Sequence, residues 1–345
     1  MGPSLFQSRF KNYYNRFPGV KQSLHFLQDV NPDVEALFEE EWKNISRESN
    51  QEVLSRHMNI QYYLQEVLKD VTHRVTQNFY EQNLYVKLAN RLQKIYSGSK
   101  KHNFGRPSFQ KFAFVSFNQD TILETFLSEQ FGLKFSSLDD YVNVNNSPLC
   151  VFKPHGSWNW GWQFPNVTEF NGNTSGWLFE HKINFFELYF KLLGDHIKMI
   201  DWSTSGVEAS INAHGLGKYT IDKSQLQIIG DENLNYFYPA LLLPYRDKDE
   251  FTMPLRHFLN MEDYLGYVET LVIIGWKGNE AAFNRLLLRG ADKIKKVIIA
   301  DPQYKQVEEN LKDLLLKLNI TPIIYEGGFE DFVQNGIDKE LNKPV

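Results

Sequence analysis

Asn118, Asp120 and His155 are the residues of this 345-residue chain whose types and spacing best suit chemistry on a bound ligand. Asn118 and Asp120 end the run FAFVSFNQD (112–120), and His155, Gly156 and Ser157 end the run CVFKPHGSW (150–158). Each run is a short stretch of β-branched and aromatic residues that delivers polar groups at its carboxyl end. Strands of an open α/β sheet do this where they build a ligand crevice. An imidazole with an unperturbed pKa of roughly 6.5 can accept a proton at neutral pH. Each residue also has a structural reading. Asp120 stands where a side chain caps the helix that Thr121 begins, and Asn118 where it shapes the turn. His155 leaves a strand into a Gly-containing turn, a position typical of functional loops, although a lone histidine is more often structural.

A third junction, Leu271–Arg289 (LVIIGWKGNEAAFNRLLLR), reads as strand, G-x-x-G-N, then helix. Gly275 and Gly278 allow close backbone approach, and the amides at the helix start near Asn279 could face an anion. Such glycines are common in any α/β protein. Asp301 closes the next strand, where an acidic residue meets a ribose hydroxyl or simply makes a turn. Trp158, Trp160 and Trp162 alternate, either as an aromatic wall over a flat ligand ring or as strand-face packing, and packing is expected for at least two.

The elements that must position these groups follow from periodicity. Residues 25–97 read as helical, and from Asn59 apolar residues recur three and four apart without Gly or Pro, as one long helix or two antiparallel ones. Residues 97–108, SGSKKHNFGRPS, read as a turn-rich connector. Strand signals then fall at Phe112–Phe117, Leu149–Lys153, Leu226–Ile229, Leu271–Gly275 and Val297–Asp301, with a weaker one at Ile323–Tyr325. Helical patterns cover Thr121–Gln130, Ala281–Arg289, Tyr304–Lys317 and Glu330 onward. Short apolar strands alternating with helices predict a parallel sheet covered on both faces. Residues 163–222, including a helical pattern over His181–Met199, read as an insertion over one end of that sheet.

Composition narrows the function classes. Hydrophobic residues at 42% and charged residues at 23% describe a globular chain, and 27 Phe, 17 Tyr and 7 Trp predict an aromatic-heavy core. A net charge of −5 with no basic stripe argues against a duplex-binding surface. The single cysteine, Cys150, excludes an intramolecular disulfide and any zinc site of four cysteines or of two cysteines and two histidines. Inside an apolar strand it reads as a small buried hydrophobe. No apolar run of about 18 residues and no signal peptide is present, so the expectation is a cytoplasmic protein without a membrane span.

Taken together, the segments resemble the sirtuin-like family and its NAD-binding fold. SFNQD (116–120) is similar to that family's T-x-N-x-D strand end, and KPHGS (153–157) to its L-H-G-S element with the catalytic histidine. LVIIGWKGNE (271–280) is similar to its I-x-G-x-S strand end and following helix, and VIIADP (297–302) to its last nucleotide-side strand. The resemblance spans about 109–302 in the family's order. It implies an α/β fold, a sirtuin-type Rossmann-like parallel sheet with helices on both faces plus a helical subdomain. Residues 1–24 would be a remnant of that core, 25–108 the helical subdomain, and 109–345 the NAD-binding core with its insertion at about 163–222. The family's Gly-Ala-Gly-x-Ser phosphate loop has no counterpart. MGPSLFQSRF fits just downstream of it, as in a truncated start or a member without that cradle. Gln119, Trp276 and Lys277 also depart from the more usual residues.

The missing zinc cysteines and the large helical part resemble bacterial sirtuin-like effectors of antiphage defence. Those are NAD hydrolases that often work as oligomers or with a partner such as a HerA-type ATPase. The resemblance implies NAD+ as substrate, no metal, a homo-oligomer and no direct nucleic-acid contact. It assigns catalysis to Asn118, His155 and Asp120, and NAD contacts to Ser116, Ser157, Gly275, Trp276, Asn279 and Asp301. Asn118 would bind the ribose or position the water, Asp120 would hold the carboxamide, and His155 would accept a proton. Two rivals stand beside this reading: a degenerate scaffold that builds an oligomer, and an NAD-dependent deacylase, which the cysteine count disfavours.

Overall fold

Periodic apolar residues in the helical part produce two helices, α1 (Gln51–Asn78) and α2 (Leu84–His102). A computed structural model describes residues 51–78, 83–102, 112–142, 147–163, 197–199, 210–212, 215–218, 237–242, 251–290 and 292–341. Leu64, Val67 and Leu68 of α1 and Leu88, Ala89, Leu92 and Ile95 of α2 are buried. Two buried glutamines dock α1 on strand backbone. Gln61 donates to the carbonyls of Pro239 and Leu241 at 3.0 and 2.6 Å, and Gln65 to that of Trp158 at 2.8 Å. Helix α2 continues through Ser97–His102, where composition predicts a connector. Once a helix is nucleated, each added residue gains one hydrogen bond, so it can extend through Ser and Gly.

The α/β part begins with β1 (Phe112–Val115), followed by α3 (Ile122–Phe131), α4 (Leu138–Tyr141) and β2 (Leu149–Phe152). Helix α3 stops at Gly132, whose φ of 66° lets its N–H turn back to the Ser128 carbonyl. Strands β1 and β2 pair in parallel, Phe112 opposite Leu149 and Val115 opposite Phe152. All four residues of β2 are buried, Cys150 included, which gives the cysteine the small-hydrophobe role its strand suggested. Next come β3 (Gly156–Gln163), β4 (Ile197–Met199), β5 (Ser210–Asn212), β6 (Gly215–Lys218) and β7 (Phe237–Leu241). Strand β3 lies between β4 and β7, antiparallel to both, and β5 pairs antiparallel with β6.

Then follow α5 (Leu255–Leu265), β8 (Thr270–Ile274), α6 (Ala281–Gly290), β9 (Lys296–Ala300), α7 (Tyr304–Asn310), α8 (Lys312–Leu318), β10 (Ile323–Tyr325) and a terminal helical stretch over Gly328–Leu341. Strands β8, β9 and β10 form a parallel sheet in the order β10-β9-β8. The chain is therefore a mixed α/β protein with parallel strands where alternation predicted them. Among the described residues the parallel strands hydrogen-bond as two pieces, β1–β2 and β8–β9–β10, rather than as one sheet. One hydrophobic cluster, from Cys150 and Phe152 through Ile273 to Val297–Ala300, joins the pieces by side chains.

Three local expectations change. Ile197–Met199 is a strand on β3 and not the end of a helix, because its register places Met199 opposite the buried Trp160. The rest of the His181–Met199 pattern and the Leu226–Ile229 strand signal lie outside the described residues. Helix α5 has a signal that hydrophobicity alone misses, since the buried positions four apart are His257, Met261 and Leu265. No described helix is long and apolar enough to cross a membrane.

His257 is 1% exposed and packs edge-on to Trp160 at 5.4 Å, with its Nε2 2.9 Å from the Leu138 carbonyl. Burial pulls its pKa down from 6.5 to about 4. The unfolded chain then takes up this proton first, so stability is lost as pH falls from about 6.5 to about 4 and levels off below. The loss expected from this side chain is about 3 kcal/mol, at 1.36 kcal/mol per unit. Urea denaturation across that pH range should show it, and His257→Phe should remove that share.

Candidate functional site

The parallel register of β1 and β2 brings the two chemistry-bearing loops to one edge. The Ser116 amide donates to the Phe152 carbonyl at 2.8 Å, continuing the ladder one step beyond the strands. Residues 117–120 and 153–157 then leave the same end of neighbouring strands. Gln119 ties them together. Its side-chain amide donates to the His155 carbonyl at 3.0 Å and to the Leu242 carbonyl, while its own carbonyl accepts the Trp158 N–H at 3.0 Å. The Ser157 hydroxyl reaches that same Gln119 carbonyl at 3.4 Å.

The loop that carries His155 is held at every carbonyl. Lys153 O accepts the Gly156 N–H at 3.0 Å, Pro154 O accepts the Thr252 N–H at 2.7 Å, and His155 O accepts the Leu242 N–H at 2.9 Å. Gly156 is required twice over. Its φ is 74°, and a Cβ built there would lie 1.9 Å from the Ala240 carbonyl oxygen. The glycine of the H-G-S element thus lets β3 begin against β7. The result is a histidine on a braced turn, 2% exposed, with its ring 5.0 Å from that of Phe117.

Beneath the loops lies a buried charge pair that sequence reading missed. Lys153 and Glu124 have 0% and 3% of their side chains exposed, with Nζ 2.7 Å from Oε1. The Lys153 ammonium also donates to the Asp120 carbonyl. Burial pushes the Glu124 carboxyl above the usual carboxylate range, and the lysine charge opposes that rise. Tyr85 of α2 joins the same group. Burial first, then the Asp120 charge, raise its phenol to about 12, against a hydrogen bond with the Asn118 side chain. The hydroxyl therefore stays protonated throughout the neutral range. A lysine directly after the apolar run LCVF is the one sequence signal that could have pointed here, because a charge at a buried strand end needs a partner.

Asn118 is exposed at the loop tip, and the Ser116 hydroxyl bends toward its carbonyl at 3.5 Å. Asp120 is half-buried and its Oδ1 accepts the Ile122 N–H at 3.1 Å, the helix-start contact its position suggested. Trp276 stacks on Phe117 with ring centres 5.3 Å apart and planes 14° from parallel, and its indole N–H donates to Glu280. A row of rings, Trp276–Phe117–His155, thus spans the carboxyl ends of β8, β1 and β2. Phe117 carried no signal in the sequence beyond its apolar type.

Gly275 adopts a φ of 60° with open space where a Cβ would stand, and Asn279 is exposed two residues ahead of α6. The Gly275 amide donates to the Ala300 carbonyl at 3.3 Å, so Asp301 neighbours it on the same edge. Asp301 is 8% exposed and its Oδ1 accepts the Gln303 N–H at 2.6 Å, which is the turn role. Gly278 also has a positive φ, 72°, and its missing Cβ makes room for Leu311 at 3.1 Å. Of the three tryptophans, Trp160 is fully buried against Tyr141, and Trp158 donates its indole N–H to the Thr121 hydroxyl at 3.0 Å. The side chain of Trp162 lies outside the described residues.

At this edge Asn118, Gly275, Lys277 and Asn279 are exposed. Among the described residues no group of three or more His, Cys, Asp or Glu is arranged to hold a metal ion. Comparison with protein-family models and with curated proteins gives no match to this chain.

Removing one member of the buried pair should be costly. Lys153→Met leaves the Glu124 carboxylate buried without its counter-charge, with an expected loss of about 3–5 kcal/mol near neutral pH. Without the lysine the Glu124 pKa rises further, and a protonated carboxyl needs no counter-charge. The loss should therefore shrink as pH falls toward about 5, where the folded chain holds the proton more tightly than the unfolded one. Urea titrations of both chains at the two pH values measure this, and an equal loss at both would refute the charge as its cause.

Proposed function

We propose that the chain is a sirtuin-like NAD+ hydrolase that splits NAD+ into nicotinamide and ADP-ribose. The observation that carries the reading is the clasp of Gln119 on the His155 carbonyl, which sets the Asn118–Asp120 strand end beside the His155-Gly156-Ser157 turn at one sheet edge. Crevices at the carboxyl ends of parallel strands are where α/β folds bind nucleotides. The finer fold assignment, a Rossmann-like core with NAD contacts at Gly275, Trp276, Asn279 and Asp301, belongs to this same reading.

Cleavage of the nicotinamide–ribose bond passes through an oxocarbenium-like state, as in glycoside hydrolysis. Nicotinamide leaves from a cationic ring, so no general acid is required. What the protein supplies is placement of the ribose and of a water. In this reading Asn118, exposed at the loop tip, holds the ribose or the water. His155 accepts the proton that the water or a ribose hydroxyl releases, on a turn whose backbone bonds fix its direction. Asp120 serves the nicotinamide carboxamide with the oxygen that the Ile122 amide does not occupy. Depletion of NAD+ in antiphage defence, in the cytoplasm, as a homo-oligomer or beside a HerA-type ATPase, is the biological setting this reading brings with it.

One set of contacts favours a second reading, a scaffold that no longer turns over. Asp120 and Asp301 each bond to the backbone two residues on, and His155 is buried against Phe117. Incubation of the purified chain with NAD+, following nicotinamide and ADP-ribose, separates the two. Wild-type turnover that falls at least roughly 100-fold in His155→Ala and in Asn118→Ala, with both variants folded, is the expected result. Equal NAD+ loss in all three chains would refute the site, and no loss in the wild type would favour the scaffold. Release of deacylated peptide from acyl-lysine substrates would instead identify the deacylase.

A further inference from the structure

We infer that Lys153 and Glu124 are a positioning couple for the proposed NAD+ cleavage, holding the Asn118–Asp120 loop in register with the His155 loop. The inference rests on the hydrolase reading and adds to it two residues that touch no substrate.

The argument starts from cost. Taking an ammonium and a carboxylate out of water is expensive, and a well-packed apolar pair of similar volume is often as stable or more so. Stability alone therefore gives a fully buried Lys–Glu pair little advantage over two methionines. What the charged pair adds is direction. An apolar side chain fills space equally well with either carbonyl facing it, whereas an ammonium accepts only arrangements that place oxygens around it.

The placement of those oxygens makes the case. Glu124 stands in the first turn of α3, directly after the loop that carries Asn118 and Asp120. Lys153 stands at the end of β2, two residues before His155. Its Nζ meets the Glu124 carboxylate at 2.7 Å and also takes the Asp120 carbonyl as acceptor. One cation thus bonds to the helix start and to the loop backbone from the residue that follows the strand delivering the histidine. Gln119 makes the matching tie on the other side, from its side chain to the His155 carbonyl at 3.0 Å. With both ties in place, the Asn118 and His155 loops cannot slide against each other. Without the lysine the Asp120 carbonyl loses its donor, and the residues after Gln119 turn about the contacts that Ser116 and Gln119 keep. Displacements of about 1 Å at a reacting centre can cost roughly 100-fold in rate.

The test compares three full-length chains with NAD+ as the probe: wild type, Lys153→Met, and the double variant Lys153→Met/Glu124→Met. The double variant removes both charges together, so its melting temperature should stay within a few degrees of wild type or rise. Its kcat should nonetheless fall roughly 10- to 100-fold, with KM for NAD+ within about twofold of wild type. A merely structural pair would leave the folded double variant at the wild-type kcat, and that result overturns the inference alone. A double variant that unfolds also overturns it, since the pair would then hold the fold and not the loops. A wild-type chain that leaves NAD+ intact overturns the hydrolase reading, and this inference with it.

Discussion

Two parallel four-residue strands, Phe112–Val115 and Leu149–Phe152, run in register with no offset between their ends. Everything at the candidate site depends on that alignment. Parallel pairing requires both chains to leave the sheet at the same edge, so the residues after each strand must meet. A slip of one residue would turn every side chain of β2 to its opposite face. With β2 buried throughout, its Lys153 neighbour would lose the carboxylate and carbonyl that accept its charge. The ion pair and the strand register are in this sense one constraint: the charge can be buried only where the alignment supplies its oxygens.

At the site, backbone carbonyls buried in a hydrophobic frame each meet a donor. Lys153, Pro154, His155 and Gly156 are buried, yet the three carbonyls of 153–155 each accept a backbone N–H. Gln61 and Gln65 donate side-chain amides to carbonyls of β7 and β3, and Gln119 adds a second donor to the His155 carbonyl. Buried polar groups bonded in this way add little net stability, but they exclude alternatives, because a shifted arrangement leaves donors and acceptors unpaired. The aromatic row of Trp276, Phe117 and His155 complements them. Flat rings in contact join the two parallel pieces across a seam that has no backbone ladder among the described residues. A histidine held by backbone bonds and an asparagine at an exposed loop tip form a pairing of a fixed group with an accessible one.

How much of this was legible in the sequence differs by element. Strands β1, β2, β8 and β9 were readable to within a residue or two, because a buried parallel strand is a short apolar run bounded by turn residues. The helices α3 and α6 were equally plain from spacing. Helix α5 was not, since its buried face begins with His257 ahead of Met261 and Leu265, and β3 hid behind the glycines and asparagine of GSWNWGWQ. At the site, Asn118, Asp120, His155 and Gly275 could be named because polar or glycine residues at the ends of apolar runs stand out. Asp120 and Asp301 had two readings each from sequence, and only coordinates could show that both side chains bond to nearby amides.

Tyr85, Phe117 and Glu124 could not be singled out, and neither Gln119 nor Lys153 showed its partners, for a common reason. Each matters through a contact with a residue distant in sequence or on another element, and such contacts leave no local pattern. What the sequence by itself determined is the set of elements and the chemical groups at their ends, because apolar periodicity and turn residues act over a few positions. The tertiary structure alone decided which ends meet, which carboxylates are occupied by backbone amides, and where a buried ammonium finds its oxygens. Those outcomes depend on register, burial and the close approach of Gly156 to Ala240, which arise only when strands far apart in the chain are brought within hydrogen-bonding distance.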